Sequence, residues 1–237
     1  MDGIEIRGLK KSYTLESGTL HVLRGLDLTL EAGAITVVLG KSGCGKTTLL
    51  RLVGGLEKPD GGEIRFHSPR KTAFVFQEPR LMPWLNVRDN IQFGLRRGEI
   101  DPAATKRIIE TVGLTGFESA LPAQLSGGMQ QRVALARALA CRPSFIMMDE
   151  PFAALDHFTR ESMQKELLRV REATDASILF VTHAIDEALT LADKVVLLSG
   201  GVCAAAFPIA LPHPRDLMCD ELIQARRSIV AALGAAA

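Results

Sequence analysis

The chain has 237 residues, 47% hydrophobic and 23% charged, and 28 Lys and Arg against 27 Asp and Glu give a formal net charge of +1. That length buries a sizeable core, and those proportions exclude a disordered tail protein and a collagen-like one. Near-neutral charge argues against bulk attraction to nucleic acid or acidic lipid.

In chain order, Ile4-Glu5-Ile6, Leu26-Asp27-Leu28-Thr29-Leu30 and Glu63-Ile64-Arg65-Phe66 alternate apolar and polar residues. Alternation predicts antiparallel strands with one solvated face. Ile35-Thr36-Val37-Val38-Leu39 is nearly all apolar, as a strand covered on both faces should be, and a helical run starts near Lys46. Ala73-Phe74-Val75-Phe76 is strand-like. Residues from about 79 to 143 read as mostly helical, with Ile108, Ile109 and Val112 capped by Gly113, and an Ala- and Leu-rich run from Met129 to Ala140. The runs Phe145–Met148, Ile178–Val181 and Val195–Leu198 alternate with helical stretches at Arg160–Ala173 and Ile185–Leu191, a βαβ pattern. The expectation is an α/β fold. It has an antiparallel β part within about 1–75 and an inserted helical part at about 79–143, with no low-contact linker between them. No apolar stretch reaches the roughly 18 residues of a membrane span. The start Met1-Asp2-Gly3-Ile4-Glu5 lacks the features of a secretory signal. Cys44, Cys141, Cys203 and Cys219 are scattered without metal spacing and are expected as reduced thiols.

Gly40-Lys41-Ser42-Gly43-Cys44-Gly45-Lys46-Thr47 matches G-x-x-x-x-G-K-[ST] between a strand and a helix, the setting that motif requires. The three glycines let backbone N–H groups turn inward, and the helix start adds a positive dipole end. Lys46 supplies a point charge for β- and γ-phosphates, and the Thr47 hydroxyl suits Mg²⁺. The strand Phe145–Met148 ends in Asp149-Glu150. Ligands gather outside the carboxyl ends of parallel strands, which puts both acids on the rim of the phosphate loop. Adjacent strand residues face opposite ways, so the acids take different roles: Asp149 as a ligand of Mg²⁺ or its water, Glu150 as the general base for the attacking water. His183, after the next apolar strand, falls on the same rim within reach of a γ-phosphate. Gln77 ends another strand-like run, where its amide can meet the metal or the water. Leu125-Ser126-Gly127-Gly128-Met129-Gln130-Gln131-Arg132 reads as a serine-capped helix start with open N–H groups. It is a second anion site that one protomer has no obvious need for, and it is explained economically if it faces the nucleotide of another copy.

With these motifs in this order, the sequence resembles the ATP-binding subunit of an ABC transporter over nearly its whole length. The resemblance implies a P-loop NTPase (RecA-like) core in a single ABC ATPase domain spanning 1–237, without an added regulatory β-domain. It implies a head-to-tail homodimer holding two ATP molecules with Mg²⁺. Each ATP would be gripped by residues 40–47 and Thr48 of one subunit and by Ser126, Gly127 and Gly128 of the other. Tyr13 would stack on adenine, and Asp156 of Ala154-Leu155-Asp156 would carry contacts between the sites. Arg80-Leu81-Met82-Pro83-Trp84-Leu85-Asn86-Val87 and Leu211-Pro212-His213-Pro214-Arg215 resemble the nitrate, sulfonate and taurine-type importer ATPases. That implies uptake of a small anionic or polar solute, with a thiamine-precursor pyrimidine as the alternative. A membrane permease would dock near Gln77–Val87 on the cytoplasmic side of the cell membrane, with an extracytoplasmic solute-binding protein in the full complex. A DNA-handling ABC ATPase is a remote alternative: such proteins carry coiled-coil or zinc-bearing insertions, and neither sustained heptads nor Cys pairs occur. No nucleic-acid partner is expected. Lys41 departs from the common pattern by placing a charge in the phosphate loop, and His67-Ser68-Pro69-Arg70 is a short connection.

Overall fold

The computed structural model describes residues 3–16, 18–67, 71–153 and 155–235; Ala154 and residues 68–70 lie outside them. The chain divides into two compact units, Met1–Arg70 with Ser177–Ala237, and Lys71–Ala176.

The first unit opens with β1 (Ile4–Leu15) and β2 (Gly18–Leu30), then β3 (Ile35–Leu39), α1 (Lys46–Val53) and β4 (Gly61–Phe66). β1, β2 and β4 form an antiparallel sheet in the order β2-β1-β4. Ile4 and Ile6 point into the core while Glu5 and Arg7 pair outside it, so the alternation reads out as expected. The alternation then breaks at register shifts around Gly8, whose φ of 56° marks the bulge. β7 (Ser177–Thr182), α6 (Ile185–Leu191), β8 (Lys194–Ser199), β9 (Val202–Pro208) and α7 (Asp220–Ala235) complete this unit. β3 lies between β7 and β8, parallel to both, and β9 closes the edge antiparallel to β8. Every residue of β3 and β7 is buried, as expected of strands covered on both faces.

In the second unit β5 (Thr72–Val75) pairs in parallel with β6 (Phe145–Asp149). Between them come α2 (Val87–Gln92), α3 (Pro102–Thr111) and α4 (Gly127–Ala140), and α5 (His157–Thr174) follows. Val87, Ile91, Ile109, Val112, Leu125 and Val133 form a common apolar core for α2, α3 and α4. Residues 79 to 143 hold less helix than their composition predicts, because α2 is short and long connections flank α3. Pro79, Pro83, Gly113, Gly116 and Pro122 interrupt the helical pattern. β9 and α7 add elements that the sequence pattern did not announce. The four cysteines are free thiols, as expected. No helix among the described residues is long and apolar enough to cross a membrane.

Candidate functional site

β3 delivers the chain to Gly40, and the loop from there to Gly45 opens α1. A Cβ on Gly40 would lie 2.5 Å from the Leu198 carbonyl oxygen of β8 and 2.5 Å from Cys44 Sγ, so the loop passes β8 too closely for any side chain. Gly43 and Gly45 take φ values of 79° and 106°, which L-residues adopt at a cost. Val22 and Leu23 of β2 back Gly45, each 3.0 Å from where its Cβ would be. Lys46 is only 6% exposed, and its Nζ donates to the carbonyls of Gly40 at 2.8 Å and Lys41 at 3.0 Å. The ammonium therefore braces the loop from inside, and phosphate oxygens are stronger acceptors for it than carbonyls. α1 has no acid in its first turn and no side-chain cap at Gly45, so its leading N–H groups are oriented into the loop. This donor set fits a nucleotide phosphate chain. Lys41, Ser42 and Thr47 are exposed around it. The half-buried Cys44 thiol has its pKa pushed up by burial, partly opposed by the Lys46 charge.

Tyr13, near the end of β1, is half-buried, and its hydroxyl donates to Glu57 Oε2 at 2.5 Å. Burial first, then that bond, raises the phenol's pKa; a hydrogen bond from Thr48 in the first turn of α1 works the other way. Thr48 thus reaches the aromatic residue. His183 is exposed immediately after β7. Its turn is fixed by Thr182, whose Oγ1 donates to Glu187 Oε2 at 2.6 Å and accepts from Ala184 N–H at 3.1 Å. Glu187, buried in the first turn of α6, is a positioning residue that sequence reading missed.

In the second unit, Gln77 follows β5 and Asp149-Glu150 end β6. Val75 and Met148 are register partners, so these three residues emerge at one strand edge. Asp149 is 6% exposed. Glu150 does not continue the strand: its φ of 44° is left-handed, an uncommon state for a non-glycine residue, and the opposite-faces expectation from strand geometry therefore stops at Asp149. Asp149 offers a hard carboxylate oxygen of the kind Mg²⁺ takes.

Ser126 caps α4, its Oγ accepting from Met129 N–H at 3.3 Å. A Cβ on Gly127 would have nothing within 4 Å, so no contact within the protomer demands glycine there. Gln130 Nε2 holds the preceding turn through the Pro122 and Leu125 carbonyls. Farther along α4, Gln131 Nε2 donates to the Phe76 carbonyl at 3.2 Å, and Arg137 donates to the carbonyls of Pro79 and Arg80 at 2.9 Å each. The helix that presents Ser126 is therefore tied to the segment that carries Gln77. Asn90, fully buried in α2, bonds the residues on either side of Trp84, which is itself 71% exposed. Sequence reading assigned Gln131, Arg137 and Asn90 no organising role, and polar types on largely buried helices were their only signal. Asp156 caps α5 through Thr159 N–H at 3.0 Å, and the Thr159 hydroxyl first, then that N–H, hold its carboxyl below the usual range. The structure thus gathers Tyr13, residues 40–48 and His183 in one unit, and Gln77, Ser126–Gly128, Asp149, Glu150 and Asp156 in the other.

The profile of the ABC transporter family matches residues 23–153. The chain is 45% identical over 232 residues to an aliphatic sulfonates import ATP-binding protein, SsuB 1, of Xanthomonas axonopodis pv. citri, covering 91% of this chain and 92% of that one. It is 46% identical over 226 residues to the SsuB protein of Rhodopseudomonas palustris, covering 92% of this chain and 79% of that one. Among solved structures it resembles a dimeric post-hydrolysis state of the ATP-binding cassette MJ0796 bound to ADP and Pi. The TM-score is 0.81 and the identity 28%, over 88% of this chain and 100% of that one. With a phosphate loop braced by Lys46, a serine-capped second helix start and these relatives, the chain belongs to the ABC transporter family.

Proposed function

We propose that the chain powers uptake of small anionic solutes, with aliphatic sulfonates as the leading class, by hydrolysing ATP beneath a partner permease. The chain is an ATPase. The observation that carries the mechanism is a pair of anion-ready helix starts, Gly45–Lys46 and Ser126–Gly128, on different units of one chain. Two chains head to tail give each ATP one start of each kind. The exposed Gly127 is compatible with this, since no contact within the chain fills the space beside it. So does the dimeric, ADP- and Pi-bound state of the similar cassette.

In this arrangement Lys46 and the N–H groups of α1 hold the β- and γ-phosphates, and Tyr13 supports the base. Thr47, Asp149 and Gln77 would hold Mg²⁺, and the ion would supply positive charge that neutralises the phosphates. Glu150, whose left-handed backbone ends the strand, takes a proton from the attacking water. His183, held by the Thr182–Glu187 turn, donates toward the γ-phosphate, and Asp156 lies where the two sites communicate. Electrostatic positioning of this kind is the main source of phosphoryl-transfer catalysis. The segment Gln77–Val87 receives the permease, a reading that the 71% exposure of Trp84 supports, and the chain works peripherally at the cytoplasmic membrane face. The names of the sulfonate-import relatives support the solute class, and the solute itself would be delivered by a separate binding protein.

Mixing Lys46→Ala with Ser126→Arg chains tests the sandwich. Each alone is inactive; a mixed dimer contains one intact site, so hydrolysis returns on mixing. No recovery from two folded, nucleotide-depleted preparations overturns the head-to-tail reading. In the reconstituted importer, an alkanesulfonate raises turnover and a pyrimidine does not; the reverse assigns the alternative solute.

A further inference from the structure

Tyr13 stands near the free end of a long two-stranded ribbon. It is paired with Leu20, and the flanking Leu15 and Leu20 are each 49% exposed. Ribbon ends fray, and an aromatic platform there moves with them. The phosphate grip sits on a different element, α1. A base and its triphosphate are bound together only if these two elements keep a fixed separation.

Thr48 in the first turn of α1 touches the phenol, and the segment after α1 holds its other side. Glu57 is locked to α1 by its own N–H, which donates to the Arg51 carbonyl at 3.3 Å, as the Leu56 N–H does at 2.8 Å. The Arg51 guanidinium holds Glu57 Oε1 at 3.2 Å. The other carboxylate oxygen, Oε2, accepts the Tyr13 hydroxyl. Three residues on, Asp60 stitches the same segment to β1: its Oδ2 accepts the Ser12 N–H at 2.6 Å, its Oδ1 meets Lys11 Nζ at 3.1 Å, and its N–H donates to the Lys10 carbonyl at 2.9 Å. The exposed Arg51–Glu57 pair contributes little as a salt bridge. Its geometric role is larger, because it fixes the carboxylate that the phenol grips, and a charge-assisted O–H···O⁻ bond is short and directional.

From these contacts we infer that Glu57 is a positioning residue for nucleotide binding: with Arg51 it fastens the Tyr13 ring to the phosphate-loop helix and sets the distance between base platform and phosphate grip. The inference rests on Tyr13 as the base platform, and the test separates the two. Competition against a fluorescent nucleotide, with Mg²⁺ present, measures the affinities of ATP and of inorganic tripolyphosphate on the full-length chain. Tyr13→Ala weakens ATP and leaves tripolyphosphate within about twofold. Tyr13→Phe, which keeps the ring and removes only the hydroxyl, and Glu57→Leu each weaken ATP about threefold to tenfold, the cost of ordering one freed side chain on binding, again without moving tripolyphosphate. Glu57→Gln, which keeps an acceptor for the phenol, restores ATP affinity to within about twofold of the parent. If Tyr13→Ala binds ATP as the parent does, the platform reading fails and the positioning role fails with it. If Tyr13→Ala is weak but Tyr13→Phe and Glu57→Leu bind normally, the platform stands and the fastening is refuted. A parallel loss of tripolyphosphate in Glu57→Leu also refutes it, because the effect then lies in the phosphate loop. Should Glu57→Leu not fold, Arg51→Met, which frees the Glu57 carboxylate and leaves the phenol with its Thr48 contact, takes its place: weaker ATP with unmoved tripolyphosphate supports the fastening, and parental ATP affinity refutes it.

Discussion

Replacing Asn90 by leucine removes an amide with no solvent exposure that makes four hydrogen bonds to the segment before α2. Oδ1 accepts the Met82 N–H at 2.8 Å, and the two Nδ2 hydrogens are shared among the carbonyls of Met82 at 3.1 Å, Leu85 at 2.7 Å and Asn86 at 3.1 Å. Each such bond contributes about 1 kcal/mol net, and a buried group left unpaired costs more. The partners are half-buried and regain some water, so the expected loss is about 3 kcal/mol rather than the sum of full penalties. With a urea m-value of roughly 2–3 kcal/mol/M, the unfolding midpoint falls by about 1 M. Urea titration followed by far-ultraviolet circular dichroism reads this directly. The loop bearing Trp84 also loses its shape, so permease-stimulated turnover drops with the midpoint. Asn90→Asp keeps the acceptor for Met82 but sets a carboxylate against three carbonyls, and it destabilises as well. A midpoint for Asn90→Leu within about 0.2 M of the parent refutes the claim that this amide organises the loop.

Three further outcomes follow from the site. Glu150→Gln binds ATP but hydrolyses it about 100-fold or more slowly and accumulates a dimer on size exclusion with ATP; a parental rate removes Glu150 as the base. Gly40→Ala lowers thermal stability and ATP affinity together, since its Cβ meets a β8 backbone oxygen at 2.5 Å. Gly43→Ala, with open space around it, suffers only the left-handed backbone cost of about 1–2 kcal/mol. Equal melting temperatures for the two variants would contradict this ranking. Because burial raises the Cys44 pKa, its thiolate fraction at a given pH is smaller than that of an ordinary thiol. Its alkylation by iodoacetamide therefore stays slow near neutral pH and rises at higher pH than for a free cysteine, as site-resolved mass spectrometry will report; rapid labelling at pH 7 counts against it.

Contiguous chemistry was legible in the sequence and long-range support was not. The phosphate loop could be read because its glycines, Lys46 and Thr47 are neighbours in sequence and are bounded by a recognisable strand and helix. β6, β7 and β8 were legible for a related reason: strands buried on both faces leave unbroken apolar runs. β9 was not, because Ala204, Ala205 and Ala206 fall on both of its faces and blur the contrast between half-buried and exposed positions. The helical content of residues 79 to 143 was overread, since leucine and alanine there serve a packed core shared by short helices and pinned loops. The ties from α4 to the Gln77 segment were out of reach, because Gln131 and Arg137 bond carbonyls 55 to 58 residues away and backbone acceptors leave no residue-type signature. Glu57 and Glu187 were missed for the opposite reason, as surface-type residues whose acceptor oxygens are occupied only in the folded chain. Asp156 entered through family resemblance, and the structure adds a local duty that Asp-x-x-Thr at a helix start could have announced.

The chain contains one tryptophan and one tyrosine. Trp84 is 71% exposed in the second unit, and Tyr13 is half-buried in the first. Nature has thereby supplied two separate optical probes. Indole emission selectively excited near the red edge of protein absorption shifts to shorter wavelength when an apolar partner covers Trp84. Phenol absorbance responds when a base lies over Tyr13. With the proposed roles of Trp84 and Tyr13, engagement with a membrane partner and loading with nucleotide can be timed independently on unlabelled protein.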